Sequence, residues 1–312
     1  MDVIQHLTFN IEYKSFQRNM LFLIGSIILT SYLTLSFKVV ERFKIPNLQV
    51  IVFNHLTCIV VGSFVDGAFP ITKSTFQQDW FPWACVMGSI FILLFNLIAY
   101  TAQKSGVAVA SVSNKLSLVI PFIFSIYLYN DEATLLKIIG VIIALLAVLL
   151  TCLKRKSDNR LIKPANNRLI ILLPVLLFLG SGMLDTMIKF VEQEFLGESN
   201  KNAYLITAFA VAALLGILIL LFLFLTGRQN FDRRSLLAGI AIGIPNYFSI
   251  WCLLRVLKDH ADNSSAIIPI NNMGIVLFST VLAALLFKEK LSVINWIGIL
   301  LSLGAIALIA YG

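Results

Sequence analysis

Ten apolar blocks of about 20 residues, separated by short polar stretches, set the pattern of the chain. They fall at about Met20–Phe37, Gln49–Ala68, Phe81–Tyr100, Val107–Tyr129 and Thr134–Leu153 in the first half. The second half gives about Leu169–Phe190, Ala203–Thr226, Leu236–Val256, Ser265–Phe287 and Val293–Tyr311. Apolar residues run through each block without the alternation of a barrel strand, so each predicts a helix whose backbone groups are satisfied internally. A length of about 20 residues crosses a hydrocarbon core. The pattern predicts an all-α membrane protein with ten transmembrane helices. The longest interruption, Lys154 to Arg168, is a basic linker between residues 20–153 and 169–312. Residues 1–19 contain no apolar run of the signal-peptide kind and read as an N-terminal tail.

The two halves repeat one design. Asn272 falls on Asn114, Ala266 on Ala108, Glu289 on Asp131, Gly298 on Gly140 and Ala305 on Ala147, each 158 positions later. Lys38-Val39-Val40-Glu41 also lies over Lys189-Phe190-Val191-Glu192 at the exits of the first and sixth spans. Such self-similarity marks a duplicated architecture. Five spans per half is an odd number, so the second copy is expected to enter the bilayer from the opposite side. The expectation is two inverted five-helix repeats around a central cavity, as in many secondary transporters.

Composition excludes a water-soluble domain. Hydrophobic residues make up 59% and charged residues 13%, against roughly 25% charged in soluble domains. Mean hydropathy is +0.90. The net charge of +8 is not a nucleic-acid signal, because the cations sit in short loops between spans. Fifteen of the 24 Lys and Arg residues follow odd-numbered spans and eight lie on the other side. The excess of cations on the cytoplasmic side then places both termini outside. Cys58, Cys85, Cys152 and Cys252 are scattered singly and read as packing residues.

The repeated hairpin resembles the EamA domain of the drug/metabolite transporter superfamily, over nearly the whole chain as two tandem copies. Small residues precede the fourth and ninth spans (Ala108, Ala110, Ser111; Ser264, Ser265, Ala266), and Pro121 lies within the fourth. Acidic residues close each span (Asp131-Glu132 and Glu289), and Gly140 or Gly298 opens the next. The ninth span has Ser279 where Pro121 predicts a proline, with Pro269 earlier. The resemblance implies ten helices in two inverted halves, moving small metabolites or drugs, often outward, coupled to a proton or another solute. It also implies cytoplasmic termini, against the charge count.

Few polar side chains fall inside the spans. Lys115 lies about eight residues into the fourth, where an ammonium costs about 3 kcal/mol unless it faces water or a counter-ion. It reads as a receiver for a substrate carboxylate or phosphate, as an ion pair with Asp185, or as a snorkelling side chain. Asp185 reads as a proton-carrying carboxylate or as the partner of Lys189 one turn on. His55, beside Asn54, reads as a proton relay or as an interhelical hydrogen-bond partner. Two repeat-related groups, Asn96 and Tyr100 with Asn246, Tyr247 and Trp251, and Asn114 with Asn271-Asn272, read as the lining of a shared cavity or as interhelical bonds. Pro245 and Pro269 offer hinges or static kinks. Gly239 with Gly243, Gly140 with Ala144, and Gly298 with Ser302 are expected to permit close helix packing. Glu132 and Glu289 suit helix N-termini without catalysis. Asn263-Ser264-Ser265 matches a glycosylation sequon.

The expected function is a secondary active transporter of the inner or plasma membrane, exporting a small metabolite such as an amino acid or organic anion. A lipid flippase on the same scaffold is the alternative. An integral membrane enzyme is disfavoured, since His6, His55 and His260 are far apart. A nucleotide-driven pump is disfavoured because no GxxxxGK[ST] occurs. No cofactor, metal or nucleic-acid partner is expected. The partners are a small-molecule substrate and the lipid bilayer, with the chain as monomer or homodimer.

Overall fold

The computed structural model describes the backbone of residues 2–67, 69–129, 134–152, 167–197, 200–259, 264–288 and 291–311, with side chains chiefly from Met20 onward. The acidic turn Asp131-Glu132, Glu289, Asn263 and most of the basic linker lie outside the described residues. So do the side chains of Lys189 and Pro269.

Every regular element among the described residues is helical. The first half holds α1 (Asp2–Arg42), α2 (Asn47–Asp66), α3 (Phe81–Lys104), α4 (Val107–Leu116), α5 (Val119–Tyr129) and α6 (Leu135–Cys152). The second holds α7 (Asn167–Phe195), α8 (Lys201–Leu225), α9 (Arg233–Asp259), α10 (Ser264–Phe287) and α11 (Val293–Tyr311). A short 3-10 turn, Lys73–Gln77, lies between α2 and α3. Seven helical stretches are long and apolar enough to cross a membrane, with α4 and α5 counted as one stretch. Leu135–Thr151, Leu172–Ile188 and Val293–Ile309 are shorter apolar helices.

The fourth span, expected to be one helix, is two. Pro121 has no N–H to give the carbonyl of Ser117 four residues back. Ile120 N–H bonds that carbonyl instead at 2.9 Å, in a tighter turn, and Phe122 N–H reaches Leu118 at 3.3 Å. Ser117 Oγ donates to the Asn114 carbonyl at 2.5 Å, capping a group the break leaves open. Proline alone does not dictate this outcome. Pro174 and Pro245 sit inside continuous helices α7 and α9, so Pro245 is not a break in this structure. α10 is likewise continuous through position 269.

Exchange of the two halves maps the principal helix contacts onto each other. α1 packs on α9 and α10, and its counterpart α7 packs on α3 and α4. α2 packs on α8 and α9, and α8 on α2 and α3. The pairs α4–α10 and α6–α11 map onto themselves. Small residues set the tightest of these contacts. A Cβ at Gly140 would meet Ile309 at 2.9 Å, and one at Gly298 would meet the Ala147 carbonyl at 3.0 Å, so α6 and α11 approach backbone to backbone. Gly239 and Gly243 do the same for α9 against Phe53 and Thr57 of α2.

Turns place α4 beside α3. Gly106 holds φ 107°, a conformation that side-chain-bearing residues rarely adopt, and reverses the chain within two residues. Side-chain amides tie the helix ends nearby. Gln103 Nε2 donates to the Phe37 carbonyl at 3.0 Å, and Lys38 Nζ donates to the Gln103 carbonyl at 2.8 Å. Buried Gln49 uses both ends of its amide on the loop before α9. Its Nε2 donates to the Asn230 carbonyl at 2.8 Å and its Oε1 accepts from Asp232 N–H at 3.0 Å.

Candidate functional site

The polar residues inside the bundle separate into two places of different character. The first is the break between α4 and α5. Lys115 stands on the last turn of α4 and is half-buried, as is Asn114 beside it. Asp185 approaches from α7, its Oδ2 3.4 Å from Ser117 Oγ. Lys115 and Asp185 feel each other's charge, yet they form no direct ion pair among the described contacts.

Asp185 is exposed on a face of α7 other than its apolar stripe. Leu172, Leu176, Leu179 and Met183 form the exposed apolar stripe of α7. At 100° per residue, Asp185 points roughly 200° away from that stripe, between buried Ser181 and Phe178. It faces protein and is nonetheless exposed.

The helices around this place carry unpaired polar atoms. Among the described residues, Ser26 on α1, Ser113 on α4, Ser181 on α7, and Thr280 and the Asn271 Oδ1 on α10 are buried without a hydrogen-bond partner. Such orphans are uncommon in folded proteins and each calls for an explanation. Asn272, the repeat-mate of Asn114, is also buried on α10. α10 is joined to α4 by Ser279 Oγ donating to Ser111 Oγ at 2.8 Å.

The second place is the α2–α9 junction. Asn246 Nδ2 donates to Asn54 Oδ1 at 3.2 Å and lies 3.5 Å from Cys58 Sγ. Asn54 Nδ2 lies 3.3 Å from His55 Nδ1. His55 is fully buried, with Phe95, Phe209 and Phe91 at ring-centroid distances of 4.8, 5.7 and 6.4 Å. Its Nε2 has no partner among the described residues. Tyr247 is 3% exposed and packs on Phe248. These groups are buried between helices.

The remaining candidates disperse. Asn96 Nδ2 donates to its own helix at the Ile92 carbonyl, 2.7 Å away. Tyr100 shares the exposed stripe of α3 with Val86 and Leu93. Trp251 meets Phe22 edge-on at 5.5 Å and carries the Arg255 guanidinium 4.9 Å above its ring. The structure therefore gathers Lys115, Asn114 and Asp185 at one point, and Asn246, Tyr247 and His55 at another. Ser117 was missed by sequence reasoning. Its position four residues before Pro121 was the available signal, because proline frees the carbonyl at that offset. No cluster of three His, Cys, Asp or Glu residues gathers as a metal site among the described residues.

Two halves with interchangeable contacts, many apolar helices and a broken central helix define a multi-pass helical membrane protein. The model of the EamA-like transporter family matches residues 18–153 and again residues 169–311, and the chain belongs to that family. An uncharacterized protein of Haemophilus influenzae is 26% identical over 293 residues, spanning 93% of this chain and 97% of its own. A protein of known crystal structure superposes with a TM-score of 0.57 at 17% identity, over 93% of this chain and 96% of that one. At that identity the likeness speaks to the fold alone.

Proposed function

We propose that this protein is a secondary transporter of the inner or plasma membrane, exporting a small solute that bears a carboxylate or phosphate. If the three shorter apolar helices cross the bilayer with the seven long stretches, the chain has ten spans, five in each half. An odd number per half requires the second half to run opposite to the first, and the interchangeable contacts of α1 and α7 support that arrangement. Alternating access then rocks the halves about a site near the midplane.

One observation carries this reading: a half-buried lysine on a broken helix, two residues before the Ser117 that meets an exposed carboxylate of α7. Discontinuous helices are where such transporters expose backbone groups to cargo. Lys115 receives the anionic group, with Asn114 beside it and Asn271-Asn272 of the other half as further hydrogen-bonding groups for the cargo. Proton linkage runs through Asp185. Asn246 ties α9 to α2 through Asn54, and His55 packs α2 against aromatic rings of α3 and α8.

The test uses purified protein in liposomes, with uptake of labelled monocarboxylates and organic phosphates followed under an imposed pH gradient. Wild type moves at least one of them. Lys115→Ala loses that movement while keeping its elution volume and helical signal. Unchanged transport by the variant rejects the assignment.

A further inference from the structure

The ends of α1 and α10 meet at a cavity of about 490 Å³, away from the α4–α5 break. Its volume falls in the range of small-ligand pockets, about 300–1,000 Å³. Lys38, Glu41 and Arg42 line it from α1, at the three- and four-residue spacing that puts them on one helical face. Leu286 and Phe287 line it from the last turn of α10, and Lys288 follows directly. Three cations against one carboxylate leave two positive charges in excess. The C-termini of the two helices supply about half a negative charge each, which is less than that surplus.

The carboxylate is already engaged. Glu41 Oε2 lies 3.0 Å from Lys38 Nζ, and the same ammonium donates to the Gln103 carbonyl at 2.8 Å. Arg42 and Lys288 are exposed and meet no carboxylate among the described residues. Arg234 nearby differs, since it reaches the Phe43 carbonyl at 3.4 Å while pairing with Asp232 at 2.8 Å. Lys288 also holds φ 53°, a left-handed conformation that glycine or asparagine adopts at lower cost. Its repeat-mate is Asn130, and Arg42 corresponds to Gln193, so the surplus of cations belongs to one half only.

Beside the cavity the surface is apolar. Leu277, Val281 and Leu285 form an exposed stripe along α10, one turn apart. On α1, Val39 and Phe43 are exposed one position on from Lys38 and Arg42. In a membrane protein such stripes face acyl chains, so the cationic cavity stands where headgroups begin. It lies on the side of the chain that carries the excess of Lys and Arg. Basic pockets between membrane helices suit anionic headgroups. We propose that this cavity binds an anionic phospholipid, with the phosphodiester between Arg42 and Lys288 and the acyl chains along the stripes of α10 and α1. Arg42 offers a planar fork to the phosphate oxygens and Lys288 a mobile point charge. Because α1 belongs to the first half and α10 to the second, the lipid clips the two halves together at this end.

The test titrates the full chain, purified in a neutral detergent, with dioleoyl phosphatidylglycerol and dioleoyl phosphatidylcholine. Bound lipid is counted by native mass spectrometry. Wild type binds the anionic lipid about tenfold or more tighter than the zwitterionic one. The double substitution Arg42→Gln with Lys288→Gln removes the preference and keeps the elution volume, since both side chains are exposed. Arg228→Glu lowers the net charge by the same two units on the same side, outside the cavity, and keeps the preference. Glycerol phosphate, the soluble headgroup, fails to displace the lipid. Equal binding of the two lipids by wild type, or a preference that survives the double substitution, overturns the proposal. Loss of the preference in Arg228→Glu reduces the effect to general surface charge and overturns it as well. Displacement by glycerol phosphate as effective as by phosphatidylglycerol assigns the cavity to a soluble anion, with the same result.

Discussion

The α4–α5 break and the α2–α9 junction hold similar residues and reach opposite states. Each places amides inside an apolar bundle, and each has a titratable side chain. At the junction every element is a continuous helix, Asn246 and Asn54 hydrogen-bond across the interface, and aromatic rings enclose His55. At the break the helix is interrupted, Lys115 is half-buried and Asp185 is exposed. Polar composition alone therefore does not make a membrane site. What separates the two is whether neighbouring helices close over the polar groups.

The largest expected difference lies in transport. Lys115→Ala lowers affinity for the anionic cargo about 30-fold or more, since removing one partner of a desolvated charge contact costs about 2 kcal/mol or above. His55→Phe leaves both the transport rate and its pH profile unchanged. Loss of pH dependence in His55→Phe would make the junction part of the mechanism and dissolve the contrast.

Stability should show the reverse ranking. Gly243→Val forces a side chain against Thr57 and the Asn54 carbonyl. It is expected to cost about 1–3 kcal/mol, read as a lower melting temperature. Asn246→Ala is milder, at about 0.6 kcal/mol, in line with interhelical hydrogen bonds measured in membranes. A Gly243→Val protein that melts like wild type would mean that the α2–α9 contact is looser than its geometry.

The smallest effect lies outside the bundle. Hydrogen bonds from Arg234 hold the Asp232 carboxyl below its ordinary value in the loop before α9. A depressed carboxyl adds stability above its unfolded value and loses it as pH falls through the folded one. Because the pair is exposed, the gain is slight. Wild type should exceed Asp232→Asn marginally at neutral pH, and the difference should vanish in acid and in high salt. A difference that grows in acid would contradict the pairing.

Much of the architecture was legible in the residue order. Duplication showed in Asn114 with Asn272 and Gly140 with Gly298. Span positions followed from the fixed thickness of a bilayer, which forces apolar length onto the chain. The close contacts of Gly239, Gly243, Gly140 and Gly298 were also readable, since small residues four apart form one face of a helix. Lys115 stood out because a charge inside a span is costly wherever it points.

The sequence by itself determined that the chain is helical, lies in a membrane and is written twice, because lipid imposes rules on any segment regardless of its neighbours. Only the tertiary structure decided which polar groups meet. Pro121 interrupts its helix while Pro174 and Pro245 do not, and Asp185 is exposed while Asn246 is sealed. Each of these outcomes depends on what a second helix brings to the same place: the Ser117 hydroxyl and Asp185 at the break, Asn54 and Cys58 at the junction. No periodicity within a single segment encodes that meeting, because the partners lie between 68 and 192 residues apart.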